Sequence, residues 1–183
     1  MKAFLVSFLV CAVAGGQGCA KEIFSARGEF ALSRRANPEW RVTETDKGLL
    51  VEYTDRMKEK HSTFLVGSAA DSLRALLTKL TFTQADADFL RKTSMTQPAK
   101  KNGEESIMIR PFDGVTYYFV FHSAAGTREA WIDNPSFDLE NNSHAEQRGR
   151  LKAVLDFLDI IERQAKGEKE SNQKPVSTPS TAP

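Results

Sequence analysis

The sequence predicts an α+β domain with a mainly antiparallel sheet of about seven strands and about three helices packed on one face. Three observations lead to this fold class. Strand-like runs cluster along the chain, as four strands, two helices, three strands and one helix, instead of alternating with helices. Two turns that contain glycine separate alternating runs, which indicates hairpins between antiparallel neighbours. Leucine-rich segments with helical spacing then supply the helices.

The first four strands are predicted from apolar residues at every second position. Residues 23–33 alternate in this way, and Asn37-Pro38 then turns the chain. Residues 45–48 join the second and third strands as a hairpin, and residues 62–66 form the fourth strand. A period of two places one set of side chains on the buried face of a sheet. The core residues predicted here are Phe24, Ala26, Gly28, Phe30, Leu32, Trp40, Val42, Leu49, Val51 and Tyr53.

Two helices are predicted next, over residues 68–80 and 84–93, followed by an exposed loop to residue 105. The first helix has an apolar face of Leu73, Leu76, Leu77 and Leu80. A hydroxyl residue three positions before a carboxylate resembles a capping box and indicates where a helix begins. This pattern occurs at Ser68 with Asp71, at Thr83 with Asp86 and, later, at Ser143 with Glu146.

The second half of the chain predicts a hairpin, a further strand and a closing helix. A strand through Ile107 and Ile109 meets Asp113-Gly114, a strong short signal for a hairpin turn. After it, Tyr117, Phe119 and Phe121 alternate with outward positions, and residues 128–133 form the last strand. Residues 134–142 are predicted as loop. The apolar face of the closing helix comprises Leu151, Val154, Leu155, Leu158 and Ile161.

The N-terminal residues 1–20 have the pattern of an export signal. Lys2 precedes an apolar run from Ala3 to Ala14, after which small and polar residues lead to Cys19. The run is too short to remain as a membrane-spanning helix. Cleavage is possible after Ala14, after Ala20 or before Cys19, where the sequence resembles a permissive lipobox. The last cut predicts a Cys19 that carries lipid, so that the membrane becomes a partner of the chain.

Cysteine content favours two of these three cuts. Cys11 leaves with the signal, so Cys19 would be the only thiol of an exported chain. A single leftover cysteine is unusual there unless it is modified or removed. The sequence therefore predicts an exported protein of the bacterial cell envelope anchored through Cys19, with a soluble secreted or periplasmic protein as the alternative. It predicts one domain over residues 22–164 and a disordered polar tail over residues 165–183.

Charge and motif content point away from several functional classes. The formal net charge is +1 and no long basic run occurs, so no binding of nucleic acid is expected. His61, His122 and His144 lie far apart, without the spacings of zinc sites, and no phosphate-binding loop or nucleophile elbow occurs. We therefore expect no metal, no cofactor and no catalytic residue, and the sequence favours a binding protein over an enzyme. A hydrolase whose residues meet only in the folded chain is a further alternative.

The best candidate for a site is a patch on the outward face of the sheet. Tyr118 and His122 alternate with the core residues of their strand, and Trp131 joins them from the next strand. A partly apolar patch on the solvent side of a sheet is typical of a recognition surface. The alternative is ordinary packing between neighbouring strands.

The order of elements in residues 73–163 resembles that of small secreted protease inhibitors of the emfourin type. The corresponding stretches are ADSLRALLTKL, FDGVTYYFVF, GTREAWID and RLKAVLDFLDII. This resemblance implies inhibition of a thermolysin-like metalloprotease. The leading hypothesis remains a non-catalytic binding or scaffolding protein of the envelope, whose ligand or protein partner is unknown, with the inhibitor as the alternative.

Overall fold

A computed structural model describes residues 20–30, 37–94, 99–101, 104–106 and 114–168. Six strands form one antiparallel sheet and two short strands form another. The strands are β1 (Lys21–Phe30), β2 (Glu39–Thr45), β3 (Gly48–Thr54), β4 (Lys60–Leu65), β5 (Ala99–Lys101), β6 (Glu104–Ser106), β7 (Val115–Ser123) and β8 (Gly126–Asp133). The helices are α1 (Gly67–Thr78), α2 (Gln84–Ser94), α3 (Pro135–Asn141) and α4 (Ala145–Ala165).

The large sheet has the order β4-β3-β2-β1-β7-β8, so β1 joins the two halves of the chain. The strands β1 to β4 form a meander on one side of β1, and the β7–β8 hairpin lies on the other side. Phe24 of β1 pairs with both Val42 and Phe121, and this register continues the buried face across the sheet. The α+β fold class predicted from the sequence is confirmed.

The core lies between the sheet and the helices, and α4 packs mainly on β2, β3 and β4. The ring of Phe157 meets that of Phe24 edge-on, with 5.2 Å between the centroids. At the end of the helix, the hydroxyl of Thr63 donates a hydrogen bond to the carbonyl of Ala165. Because the residues of β1, β2, β3 and β7 alternate between apolar and polar, only one face of these strands can be packed in this way.

The structure differs from the sequence prediction in the number of elements. The prediction of loop over residues 134–142 is wrong, because α3 begins at Pro135, whose fixed φ suits the first position of a helix. The expected strand through Ile107 and Ile109 lies outside the described residues, as does Cys19. Within the described residues, none of the helices has the length and apolar character needed to cross a membrane.

Candidate functional site

The face of the large sheet opposite the core, called here the open face, carries two rows of cross-strand neighbours. None of the twelve residues in these rows is buried. The first row runs from β4 to β8 through Ser62, Glu52, Arg41, Ser25, Val120 and Glu129. The second row runs in the same order through Lys60, Thr54, Glu39, Arg27, Tyr118 and Trp131.

A groove of about 480 Å³ follows these rows from β4 to β7. Small side chains, those of Ser25, Thr54 and Ser62, lie among larger ones and leave space above the sheet. Both signs of charge line the groove, with Arg27 and Arg41 near Glu39 and Glu52. The volume falls within the range of ligand sites, but the lining is more polar than is usual for a small apolar ligand.

Two aromatic residues lie at the β8 end of the second row. Tyr118 and Trp131 are direct partners in the register of β7 and β8, and Trp131 is 39% exposed. The guanidinium carbon of Arg27 lies 5.1 Å from the centroid of the Tyr118 ring, and that of Arg91 lies at the same distance from Trp131. The two rings therefore form an aromatic pair flanked by two arginines, and of the two only Tyr118 lines the groove.

The phenol of Tyr118 is held in a polar network with β1. Its hydroxyl donates a 3.3 Å hydrogen bond to Glu29, which also forms a 2.8 Å ion pair with Arg27. Partial burial, together with the negative charge of Glu29, raises the pKa of Tyr118 above its ordinary value. Tyr118 is therefore a neutral hydrogen-bonding group at physiological pH.

His122 is on the open face, as predicted, but it belongs to a separate network. Its Nδ1 lies 2.9 Å from the hydroxyl of Thr127, and its Nε2 lies 3.6 Å from the carboxylate of Glu22. Glu22 also pairs with Arg41 at 2.9 Å. The structure thus brings Tyr118 and Trp131 together and leaves His122 outside the groove.

Two pairs of nearby acidic residues, Asp86 with Asp88 and Asp138 with Glu140, could be considered for acid–base chemistry, but the members of each pair differ in exposure. Asp86 is buried and pairs with Arg150, whereas Asp88 is exposed and pairs with Arg91. On α3, Asp138 is buried and Glu140 is exposed. Neither of these two pairs places its carboxylates side by side.

One group of potential metal ligands occurs in the described residues, at the turn between β3 and β4. Each of Asp55, Glu59 and His61 offers one ligand atom, and these three atoms lie within 4.8 Å of one another. From the sequence, residues 56–61 are expected to form a solvated loop, because they carry charges of both signs and lie at a turn. Asp55 and Glu59 come close together only when β3 and β4 fold into a hairpin.

Sequence reasoning also missed the polar residues that line the groove. The alternation of the strands already indicated where they lie. In each strand the apolar residues were assigned to the core, so the polar residues between them must face the opposite side of the sheet. What the alternation could not supply was the register between β1 and β7, which places Arg27 opposite Tyr118. Comparison of the chain with protein-family models, with curated proteins and with solved structures finds no match.

Proposed function

We propose that this chain is an exported protein of the bacterial cell envelope, anchored by acylated Cys19, which binds a protein partner through the open face of its sheet. The observation that carries the binding role is the groove beside the pair formed by Tyr118 and Trp131. The anchor rests on the sequence pattern that precedes Cys19. Neither role requires a reaction at the site.

The composition of the surface favours a protein as the partner. Tyrosine, tryptophan and arginine are the residue types that contribute most of the binding energy at protein interfaces. Here Tyr118 and Trp131 are accompanied by Arg27 and Arg91. An extended groove with both signs of charge is suited to a polypeptide segment that carries both acidic and basic side chains.

The position of the anchor is compatible with this role. Lys21 begins β1 and lies opposite Glu44, near the turn between β2 and β3. Tyr118, with Trp131 beside it, lies opposite Arg27, nearer the other end of β1. A lipid on Cys19 would thus hold the first end of β1 near the membrane and leave the aromatic pair farther from it.

Photo-crosslinking tests the binding role. We expect a crosslinking amino acid at Thr54 or at Ser62, both in the groove, to capture the same protein in cells of the native host. The control position is Ala153, which is exposed on α4. Capture of that protein from Ala153 as well, or of nothing from the groove positions, would contradict the proposal.

Paired substitutions show whether the aromatic pair contributes to binding. The double variant Tyr118→Ala, Trp131→Ala should weaken capture while the free energy of unfolding changes little. The matched control is Phe89→Ala on α2, since Phe89 is 37% exposed and Trp131 is 39% exposed. A loss of stability without a change in capture would assign the pair to packing between strands.

Intact mass and detergent partitioning of the protein from native membranes test the anchor. A mass that begins at Cys19 with diacylglycerol and acyl chains supports it. An unmodified mass that begins at Lys21 or Gly15 contradicts it and favours a secreted protein. Inhibition of a thermolysin-like metalloprotease at near-stoichiometric amounts would then replace the binding role with that of an inhibitor.

A further inference from the structure

We propose that the turn between β3 and β4 binds a divalent transition-metal ion, with zinc as the representative ion, through Asp55, Glu59 and His61. This inference goes beyond the proposed function and does not depend on it. The ligands would be one imidazole nitrogen and one oxygen from each carboxylate, and these atoms already lie within 4.8 Å of one another. Three protein ligands would leave a position for water or for a group of a partner.

The backbone of the turn fixes the two carboxylates at the same end of the hairpin. The amide of Asp55 donates a 3.0 Å hydrogen bond to the carbonyl of Glu59, and the amide of Lys58 donates to the carbonyl of Asp55 at 3.1 Å. Lys58 has a φ of 67°, in the left-handed region, which tightens the chain between them. The two ligand residues are therefore paired across the turn instead of lying in a freely moving loop.

The side chain of Asp55 is itself held in place and still has a free oxygen. Its Oδ1 accepts hydrogen bonds from the amides of Met57 at 2.7 Å and Glu59 at 2.9 Å. Oδ2 has no hydrogen bond within the part of the chain that the structure describes, so this oxygen is available to a cation. The carboxylate of Glu59, in contrast, is exposed and makes no ion pair with any described residue, so it can rotate toward the ion.

His61 supplies the ligand that distinguishes this site from an ordinary acidic turn. It faces Tyr53 in the register of β3 and β4, and the two rings stack with 6.0 Å between centroids and 20° between planes. No side chain of the described residues forms a hydrogen bond with either ring nitrogen. The imidazole is thus oriented by stacking and free to bind a metal ion.

No basic side chain near the turn forms an ion pair with Asp55 or Glu59 within the described residues. The guanidinium carbon of Arg56 lies 3.3 Å from the centroid of the Phe30 ring. Lys166 pairs with Glu162 at 2.6 Å, and Lys60 belongs to the open face. Among the described residues Asp55 and Glu59 therefore form no ion pair, and both carboxylates can reach a bound cation although Arg56, Lys58 and Lys60 lie in the same segment.

The donor set decides which cations should bind. Imidazole nitrogen suits zinc, copper, nickel and iron, whereas magnesium and calcium require a larger number of oxygen ligands. In a tetrahedral zinc site the ligand atoms are roughly 3.4 Å apart, given metal–ligand distances of about 2.0–2.1 Å. Rotation of the exposed Glu59 side chain would supply most of the contraction from the present spacing.

Calorimetric titration of zinc into the full mature chain tests this site, with no histidine tag and with Cys19→Ser in every variant to remove the thiol. We expect one equivalent of zinc to bind, and magnesium and calcium to fail to compete at equal concentration. Glu59→Gln and His61→Gln should each weaken zinc binding about tenfold or more, since even residues that only support a ligand contribute that much.

The matched control is His122→Gln, because His122 also lies beside a carboxylate, with 3.6 Å to Glu22, but without a second acidic neighbour in its network. This variant should bind zinc as the parent does. Glu59 is exposed and outside the core, so Glu59→Gln keeps the test valid even if His61→Gln unfolds the chain. No zinc binding, or binding that survives Glu59→Gln unchanged, would overturn the proposal, and neither result would affect the role of the open face.

Discussion

Arg150 of α4 and Asp86 of α2 form an ion pair with 3.0 Å between Nη1 and Oδ1, and this pair joins the two helices. Asp86 is only 6% exposed, so protein groups instead of water must stabilise its negative charge. The other oxygen, Oδ2, accepts hydrogen bonds from the amide and the hydroxyl of Thr83. In return, the amide of Asp86 donates to the hydroxyl of Thr83, which completes a capping box at the start of α2.

Replacing Asp86 with alanine should therefore remove both the cap and the link between helices. We expect Asp86→Ala to lower the free energy of unfolding by about 2–3 kcal/mol, because a nearly buried pair is broken and a helix cap is lost. The control Asp88→Ala removes an exposed pair with Arg91 and should cost under about 1 kcal/mol. Urea denaturation measures both values, and equal losses would contradict a special role for Asp86.

Asn142 is expected to be the second polar residue on which stability depends. It is 2% exposed, and its side-chain nitrogen lies 3.1 Å from the carbonyl of Leu90, 2.6 Å from the hydroxyl of Thr93 and 3.1 Å from that of Ser94. Asn142→Ala removes these hydrogen bonds and leaves the amide of His144 without its 2.9 Å bond to the Asn142 side chain, so we expect a loss of about 1–3 kcal/mol. Asn141→Ala is the control, since Asn141 is only half-buried. Its loss in urea denaturation should be clearly smaller, and a similar loss would count against the buried network.

Two glycines should respond to alanine in opposite ways. Gly48 has a φ of +154°, and a Cβ there would lie 2.1 Å from the carbonyl oxygen of Leu65. We expect Gly48→Ala to destabilise the protein by roughly 2 kcal/mol or more, because a backbone atom must move. Gly149 lies in α4 with open space around it, so Gly149→Ala should add about 0.5–1 kcal/mol. Thermal unfolding of the two variants shows whether each substitution raises or lowers the stability. If Gly48→Ala left the stability unchanged, the turn would have to be able to rearrange around the new Cβ.

The three capping patterns show how far local sequence predicts this fold. Of the three, the pattern of Thr83 and Asp86 is confirmed by the hydrogen bonds between these residues, whereas the N-cap of α4 is His144 and has no side-chain cap. At α1 the helix begins at Gly67 with Val66 before it, and no side chain caps it. Asp71, which the pattern assigned to the cap, pairs instead with Arg74. A hydroxyl and a carboxylate at the right spacing thus do not by themselves determine the residue at which a helix begins.

The open face shows the same limit at the level of the sheet. Alternation within one strand predicted that Phe119 and Phe121 are buried and that Tyr118 points outward, and all three are found so. The groove, however, forms only because β1 lies between β2 and β7. Arg27 of β1 has Glu39 of β2 as its neighbour on one side and Tyr118 of β7 on the other. No local pattern specifies the pairing of β1 with β7, because these two strands are far apart along the chain. The cluster at Asp55 was missed for a related reason, as it requires the closed turn of the hairpin.

Asp159 provides a prediction about pH. Partial loss of solvation, followed by the negative charges of Glu162 and Asp156, raises the pKa of this largely exposed α4 carboxyl above its ordinary value of 3.8. The folded state therefore binds the proton more readily than the unfolded state does. The contribution of Asp159 to stability is fully present below pH 3.8 and is lost as the pH rises through the higher pKa of the folded state. At neutral pH the ionised carboxylate consequently opposes folding.

Asp159→Asn should therefore be more stable than the parent chain at pH 7, and the advantage should disappear near pH 3. The side chain is solvent-exposed, so screening limits the gain to a few tenths of a kcal/mol, about the scale of surface charge interactions. Asp156→Asn is the matched control, because Asp156 pairs with Lys152 at 2.6 Å and its loss should give no comparable gain. Urea denaturation of the three chains at both pH values measures the differences. A gain for Asp159→Asn that persists at pH 3 would mean that the substitution acts through helix packing and not through charge.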